Sequence, residues 1–287
     1  MGTPTLFRAD LRPGGGPVAG LLDPRNGPGW DLPPFAGESS TYIVASTPRT
    51  GSTLLCRLLW DTGLVGAPKE YLNPMQIRDW EVRLGRDATT RFRNRLLVGP
   101  AIALAGRGRW SEARLHGHIE RVRERRTSAC GLFGLKLHQH HFARFFGSGG
   151  EGLESALAPR RWIRLRREDR VAQAVSWARA LQSGRWASHQ RFALPVFYRR
   201  GQIARLEREI DRQETAWEAF FATAEGEVLQ LTYEDLRTDR AAVLHRVLEF
   251  LGIENALRVP VPDSDLQVQA DATSAAWIAR YRSHRDG

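Results

Sequence analysis

Residues 41–55, Thr-Tyr-Ile-Val-Ala-Ser-Thr-Pro-Arg-Thr-Gly-Ser-Thr-Leu-Leu, decide how this chain is read. Tyr42 to Ala45 is a short apolar run with β-branched members, the pattern of a buried strand. Ser46 to Ser52 carries turn chemistry, with Pro48, Arg49 and Gly51 inside it. From Thr53 onward Leu54, Leu55, Leu58 and Leu59 share one helical face, and Gly63 supplies a stop. Strand, tight loop and helix in this order turn loop amides and a helix N-terminus toward one point, where an anion is favoured.

The loop is not the ATP-binding sequence G-x-x-x-x-G-K-[ST]. Gly51 stands at the second glycine, but Ser46 replaces the first and Ser52 replaces the lysine, while the cation has moved to Arg49. Arg49, Thr50, Gly51, Ser52 and Thr53 are therefore candidate oxyanion ligands, with ATP and Mg²⁺ a poor fit. A βα turn without a ligand would share the strand and the helix of this pattern.

The surrounding chain fits one large α/β domain. It has 287 residues, 42% of them hydrophobic, with nine Trp and twelve Phe to build a core. The net charge of +10 is carried almost wholly by arginine, since Lys69 and Lys136 are the only lysines. Excess positive charge favours anionic ligands. Cys56 and Cys130 form no metal or redox spacing, and no run approaches the ~20 apolar residues of a membrane span. The start of the chain lacks a secretory pattern, so a cytoplasmic location is expected.

Residues 1–38, rich in Gly and Pro, read as an extended or disordered arm, with wrapping around the domain as one option, and residues 39–287 as the folded domain. Asn73 and Pro74 read as the cap and first position of a helix. Residues 74–127 read as Arg-rich helices that shape an acceptor site. Further strands are expected at 131–137, 162–166 and 227–231. Helices are expected at 168–182, 201–224 and 238–251, with a last one starting at Thr273 or Ser274. Strands alternating with helices predict a mostly parallel sheet covered on both faces, with ligands at the strand carboxyl ends. Arg49, the residues after Leu137, and Arg166 then lie along one rim.

Arg166 ends the third strand, and Ser176 follows on the next helix. Together they can grip a second phosphate, since guanidinium matches phosphate as a planar fork. Ordinary surface arginines would read the same way in so Arg-rich a chain. Lys136 ends a strand on the same rim, either contacting the transferred group or capping the strand. Trp186 reads as an adenine platform or as packing. His138, His140 and His141 lack a Cys or carboxylate at ligand spacing, so no metal is expected.

Four stretches together resemble the bacterial trehalose 2-sulfotransferase-like family of sulfotransferases that use PAPS (3′-phosphoadenosine 5′-phosphosulfate). They are residues 48–56, 134–137, 163–176 and 231–236, with further likeness at 269–272 and 277–282. Thr50 stands where that family usually has Ser, and residues 75–127 match no motif. The resemblance implies a P-loop-like sulfotransferase fold and a 5′-phosphosulfate on the first loop. It also implies a 3′-phosphate on Arg166 and Ser176, and no metal. It implies that Glu70, in Pro-Lys-Glu-Tyr, is the general base that takes the proton of a small-molecule hydroxyl. Arg49 would stabilise the charge that builds during transfer. A homodimer is expected from the same resemblance. An atypical nucleotide kinase would need a loop lysine and a strand Asp, and neither is present. A nucleic-acid binder would need a groove-reading motif, and the basic residues are instead scattered among acids.

Overall fold

The computed structural model describes residues 21–84, 110–186, 194–263 and 271–284. The first part of the arm (1–20), the middle of the 74–127 segment (85–109), and Gln269 with Ala270 from the last matching stretch lie outside these residues.

Four parallel strands form the sheet. They are β1 (Ser40–Ser46), β2 (Leu132–His138), β3 (Pro159–Arg166) and β4 (Glu227–Thr232), in the order β2-β1-β3-β4. The helices are α1 (Ser52–Asp61), α2 (Pro74–Arg83), α3 (Glu112–Arg126), α4 (Gln139–Phe146) and α5 (Leu153–Leu157), followed by α6 (Arg170–Ser183), α7 (Arg200–Phe221), α8 (Tyr233–Thr238), α9 (Arg240–Phe250) and α10 (Ala272–Ser283). The α/β reading therefore stands. One boundary differs from the sequence reading. The helix expected at 238–251 is α9, which starts at Arg240 because the Asp239 carboxylate caps it by accepting from the Ala242 amide, with α8 a separate helix before it.

Strand alternation divides the core. Tyr42, Val44, Ile163 and Leu165 pack against α1 and α9. Ile43, Ala45 and Trp162 face α3, α4 and α7. α6, α7 and α10 pack together through Val175, Ile210 and Trp277. β1, near-continuously apolar, is buried on both faces, as a parallel strand must be.

Residues 21–31, read from composition as part of an extended arm, make two 3-10 turns at Pro24–Asn26 and Pro28–Trp30. Polar pairing ties them to the domain. The buried Asp79 carboxylate accepts from the amides of Leu22 and Asp23 and from Asn26 Nδ2, each at 2.9 Å. Lys69 Nζ donates to Asn26 Oδ1 at 2.7 Å and pairs with Asp23 at 2.8 Å. Buried charges are tolerated when paired in this way. Gly/Pro content hides these contacts because their partners lie some fifty residues further along the chain.

The segment from Val65 to Glu70 is laid beside β2. Tyr42 Oη donates to the Val65 carbonyl at 2.9 Å, and the Lys136 amide donates to the Lys69 carbonyl at 2.9 Å. Gly66 permits this approach. Its φ is +77°, and a Cβ there would lie 2.5 Å from the Leu132 carbonyl oxygen and 2.7 Å from that of Arg126. Gly66→Ala is expected to destabilise the protein by about 2–4 kcal/mol through left-handed strain and backbone displacement. A thermal melt against wild type checks this, and an unchanged Tm would contradict it.

Candidate active site

At the carboxyl end of β1 the chain turns through Arg49 at φ +69° and Gly51 at φ +79°. Alternation of left-handed with ordinary residues gathers successive amides into a concave nest. Gly51 caps α1 without any side-chain hydrogen bond to the first turn, leaving the helix N-terminus open to a ligand. Glycine is required there, because a Cβ would lie 2.8 Å from Tyr233 Cδ2.

The loop is fixed from behind. Thr47 Oγ1 donates to Glu214 Oε1 of α7 at 2.9 Å and accepts from Gln173 Nε2 of α6 at 2.9 Å. Gln173 also donates to the Pro48 carbonyl at 2.7 Å, and Trp217 Nε1 donates to the Ser46 carbonyl at 3.0 Å. Glu214 is itself paired with Arg164 at 2.8 Å and Arg170 at 3.4 Å. None of these anchors was singled out from sequence. Each sits on a helix remote along the chain, where a buried polar residue looks like any other.

Arg49 Nε donates to Ser176 Oγ at 3.0 Å, and its Nη1 donates to the Trp186 carbonyl at 2.6 Å. The structure thus brings Arg49, Ser176 and Trp186 together. Burial, then the neighbouring Arg167, bring the Arg49 guanidinium down to about 10. Arg166 does not join this group. It shares a β3 face with Arg164 and lines a cleft of about 380 Å³ with Glu218, Phe221 and Gln230. Arg167, one residue beyond the strand, turns to the loop side instead. Its guanidinium lies 4.4 Å over the Tyr233 ring that packs on Gly51, and its Nε is buried without a hydrogen-bond partner. The strand's two-residue period sets the two adjacent arginines on opposite sides, with Arg167 toward the loop.

Glu70 reaches the rim because its segment runs beside β2. Lys136 Nζ pairs with Glu70 Oε1 at 2.5 Å and donates to Thr53 Oγ1 at 2.9 Å. His138 Nε2 lies 3.2 Å from the same Glu70 oxygen, and Asn73 Nδ2 donates to Oε2 at 2.9 Å. Burial opposes ionisation of Glu70, but Lys136 and then His138 outweigh it and hold the carboxyl well below the usual range. Lys136 thus links the base candidate to the first turn of α1, supplying from β2 the ammonium that the loop lacks. His138 is a neighbour of Glu70 that motif reading left unassigned. Its place at a strand end was the available signal.

Tyr233 and Glu234, in the stretch 231–236, are also explained. Tyr233 sits between Gly51 and Arg167. Glu234 accepts from the amides of Glu168 at 3.1 Å and Asp169 at 3.4 Å, anchoring the turn that carries Arg167. Among the described residues no group of three His, Cys, Asp or Glu side chains is arranged to hold a metal ion. No helix among them is long and apolar enough to cross a membrane.

Comparison with known proteins gives a consistent result. The family model described as Stf0 sulphotransferase matches residues 41–284. The chain is 29% identical to a trehalose 2-sulfotransferase of Mycobacterium tuberculosis over 267 residues, covering 84% of this chain and 94% of that one. It is also 29% identical to a trehalose 2-sulfotransferase of Mycolicibacterium smegmatis over 279 residues, covering 88% and 99%. Among solved structures, a sulfotransferase domain from the Synechococcus PCC 7002 olefin synthase aligns at 19% identity and TM-score 0.43, covering 88% of this chain and 91% of that one.

The charge arrangement at Glu70 has a sign that can be tested. A carboxyl held below its ordinary value of 4.5 stabilises the fold above that range and loses the contribution as pH falls through the lowered value. A carboxyl-carbon NMR titration is expected to find Glu70 still ionised at pH 4.5. A midpoint at or above that value would contradict the pairing with Lys136.

Proposed function

The chain belongs to the Stf0 sulphotransferase family, and on that premise we propose that it moves a sulfuryl group from PAPS to a hydroxyl of a sugar or similar small molecule, with Glu70 as the general base. The observation that carries this reading is the position of Lys136, which donates to both Thr53 on the open helix end and Glu70. One cation thereby joins an anion site to a carboxylate, the two parts that transfer to an alcohol requires.

The donor fits the residues present. The amides of residues 50–53 and Arg49 suit its 5′ side, and the unpartnered Arg167 Nε with Ser176 suits its 3′-phosphate. Trp186, 45% exposed beside Arg49, is available to the adenine. When bound, the donor supplies an electrophilic sulfur and a phosphate leaving group. Arg49 and the loop amides then offer fixed positive dipoles where negative charge gathers, so reorganisation is small. Lys136 neutralises charge at the same rim.

Glu70 is ionised and held by fixed donors, ready to accept a proton at neutral pH. Its pairing with Lys136 makes it a weak base. Proton transfer therefore falls late, after the attacking oxygen has begun to bond to sulfur and has become acidic. Positioning of the two substrates does most of the work. Trehalose is the first acceptor to test, because both curated relatives are trehalose 2-sulfotransferases.

Calorimetric titration with PAP is expected to show binding that weakens about 10- to 100-fold in Arg167→Ala, the loss of a charge-assisted phosphate contact. Arg166→Ala is expected to stay within about threefold of wild type, as its side chain faces the other cleft. The reverse ranking would return the 3′-phosphate to Arg166, and an absence of PAP binding by folded protein would overturn the reading. In a transfer assay with labelled PAPS, Glu70→Gln is expected to lower kcat by about 10²- to 10⁴-fold with PAP affinity little changed. Full activity in that variant would remove Glu70 from the chemistry.

A further inference from the structure

We propose that His138 is a positioning residue for the reaction, its ring held in place by Ser46 so that Nε2–H donates to Glu70 and fixes the plane of the carboxylate. This deepens the reading of Glu70 as the base and rests on it.

Strand register creates the arrangement. Ser46 and His138 are the last residues of adjacent parallel strands and are paired across the sheet. Their side chains meet, with Ser46 Oγ 3.1 Å from His138 Nδ1. The other ring nitrogen, Nε2, lies 3.2 Å from Glu70 Oε1. Both residues are buried, Ser46 at 1% and His138 at 7% exposure, so water does not supply alternative partners freely. An unbroken line of contacts therefore runs from the root of the anion loop to the carboxylate.

Donor and acceptor chemistry fixes the Glu70 end of that line. An ionised carboxylate only accepts, so the ring nitrogen facing Glu70 must carry hydrogen. In a neutral ring Nδ1 is then the acceptor, and the Ser46 hydroxyl, which can rotate, is the donor. The hydroxyl can also accept from a hydrogen on Nδ1, so its contact holds the ring in place whichever way that hydrogen bond runs.

Lys136 brings a positive charge to Glu70 Oε1 at 2.5 Å. From α4, His140 stacks at 5.7 Å and His141 lies at 6.0 Å between ring centroids. Burial holds His141 well below the usual imidazole range, so it is uncharged at neutral pH. Glu70 is thus held by three donors, Lys136 and His138 on Oε1 and Asn73 on Oε2. Glu70 keeps 20% side-chain exposure, so part of the carboxylate stays open to a hydroxyl. Lys136 supplies charge, and His138 and Asn73 supply the orientation.

The test uses the full chain. Long-range proton–nitrogen spectra of histidine-labelled protein at neutral pH are expected to show His138 with hydrogen on Nε2, assigned by its loss in His138→Gln. Ser46→Ala should move its Nδ1 resonance, and Glu70→Gln its Nε2 resonance. A ring without hydrogen on Nε2, or indifference to both substitutions, would overturn the proposal. In the transfer assay His138→Phe, which keeps bulk without a donor, is expected to lower kcat about 10- to 100-fold with the donor KM within about threefold. His138→Gln, whose amide can donate to Glu70, should recover most of that loss. Equal impairment of both folded variants, or none in His138→Phe, would also overturn it. If Glu70→Gln retains full activity while the spectroscopic result holds, the base assignment has failed and the hydrogen-bond line has not.

Discussion

A single buried ammonium organises this molecule. Lys136 is 4% exposed, and its charge is compensated on one side by Glu70 and hydrogen-bonded on the other by Thr53. Removing one member of a buried pair leaves the other uncompensated, typically at about 3–5 kcal/mol. The fold therefore has to bring three distant pieces to that nitrogen: the end of β2, the first turn of α1, and the segment before α2. Parallel pairing of β1 with β2 aligns the first two. The third arrives because Gly66 lets the chain pass close to the Leu132 and Arg126 carbonyls before Lys69 docks beside Leu135.

The anion loop is held with comparable rigidity. Arg49 adopts a left-handed conformation that a non-glycine residue takes only when its surroundings enforce it. Enforcement comes from Gln173 and Glu214, which grip Thr47 and Pro48 from two helices. Ser176 lies one turn after Gln173 on α6, so the helix that clamps the loop also presents a hydroxyl to Arg49. Tyr233 closes the opposite side, against Gly51 and under Arg167. A preformed site of this kind suits chemistry in which placement and fixed dipoles dominate.

Much of this was legible in the sequence because it is local. The run from Tyr42 through Leu59 gave strand, loop and helix, and Asn73 caps α2 through the Met75 amide with Pro74 behind it. What escaped depends on distance. The surroundings of Glu70 depend on Lys136 and His138, more than sixty positions away. Residues 21–31 look structureless by composition and are ordered by Asp79, Lys69 and Arg126. Glu214 lies in no motif, and Gln173, inside the stretch 163–176, takes its role from the loop it touches.

The most direct measurement is the rate of sulfuryl transfer in a single turnover from pre-bound PAPS, comparing wild type with Lys136→Met. If Lys136 joins the donor site to the base, the rate falls by at least about a hundredfold while bound donor is retained through Arg167, Ser176 and the loop amides. An unchanged transfer rate in folded Lys136→Met would contradict the account, because the ammonium would then be a packing feature of the fold and not the link between its two chemical parts.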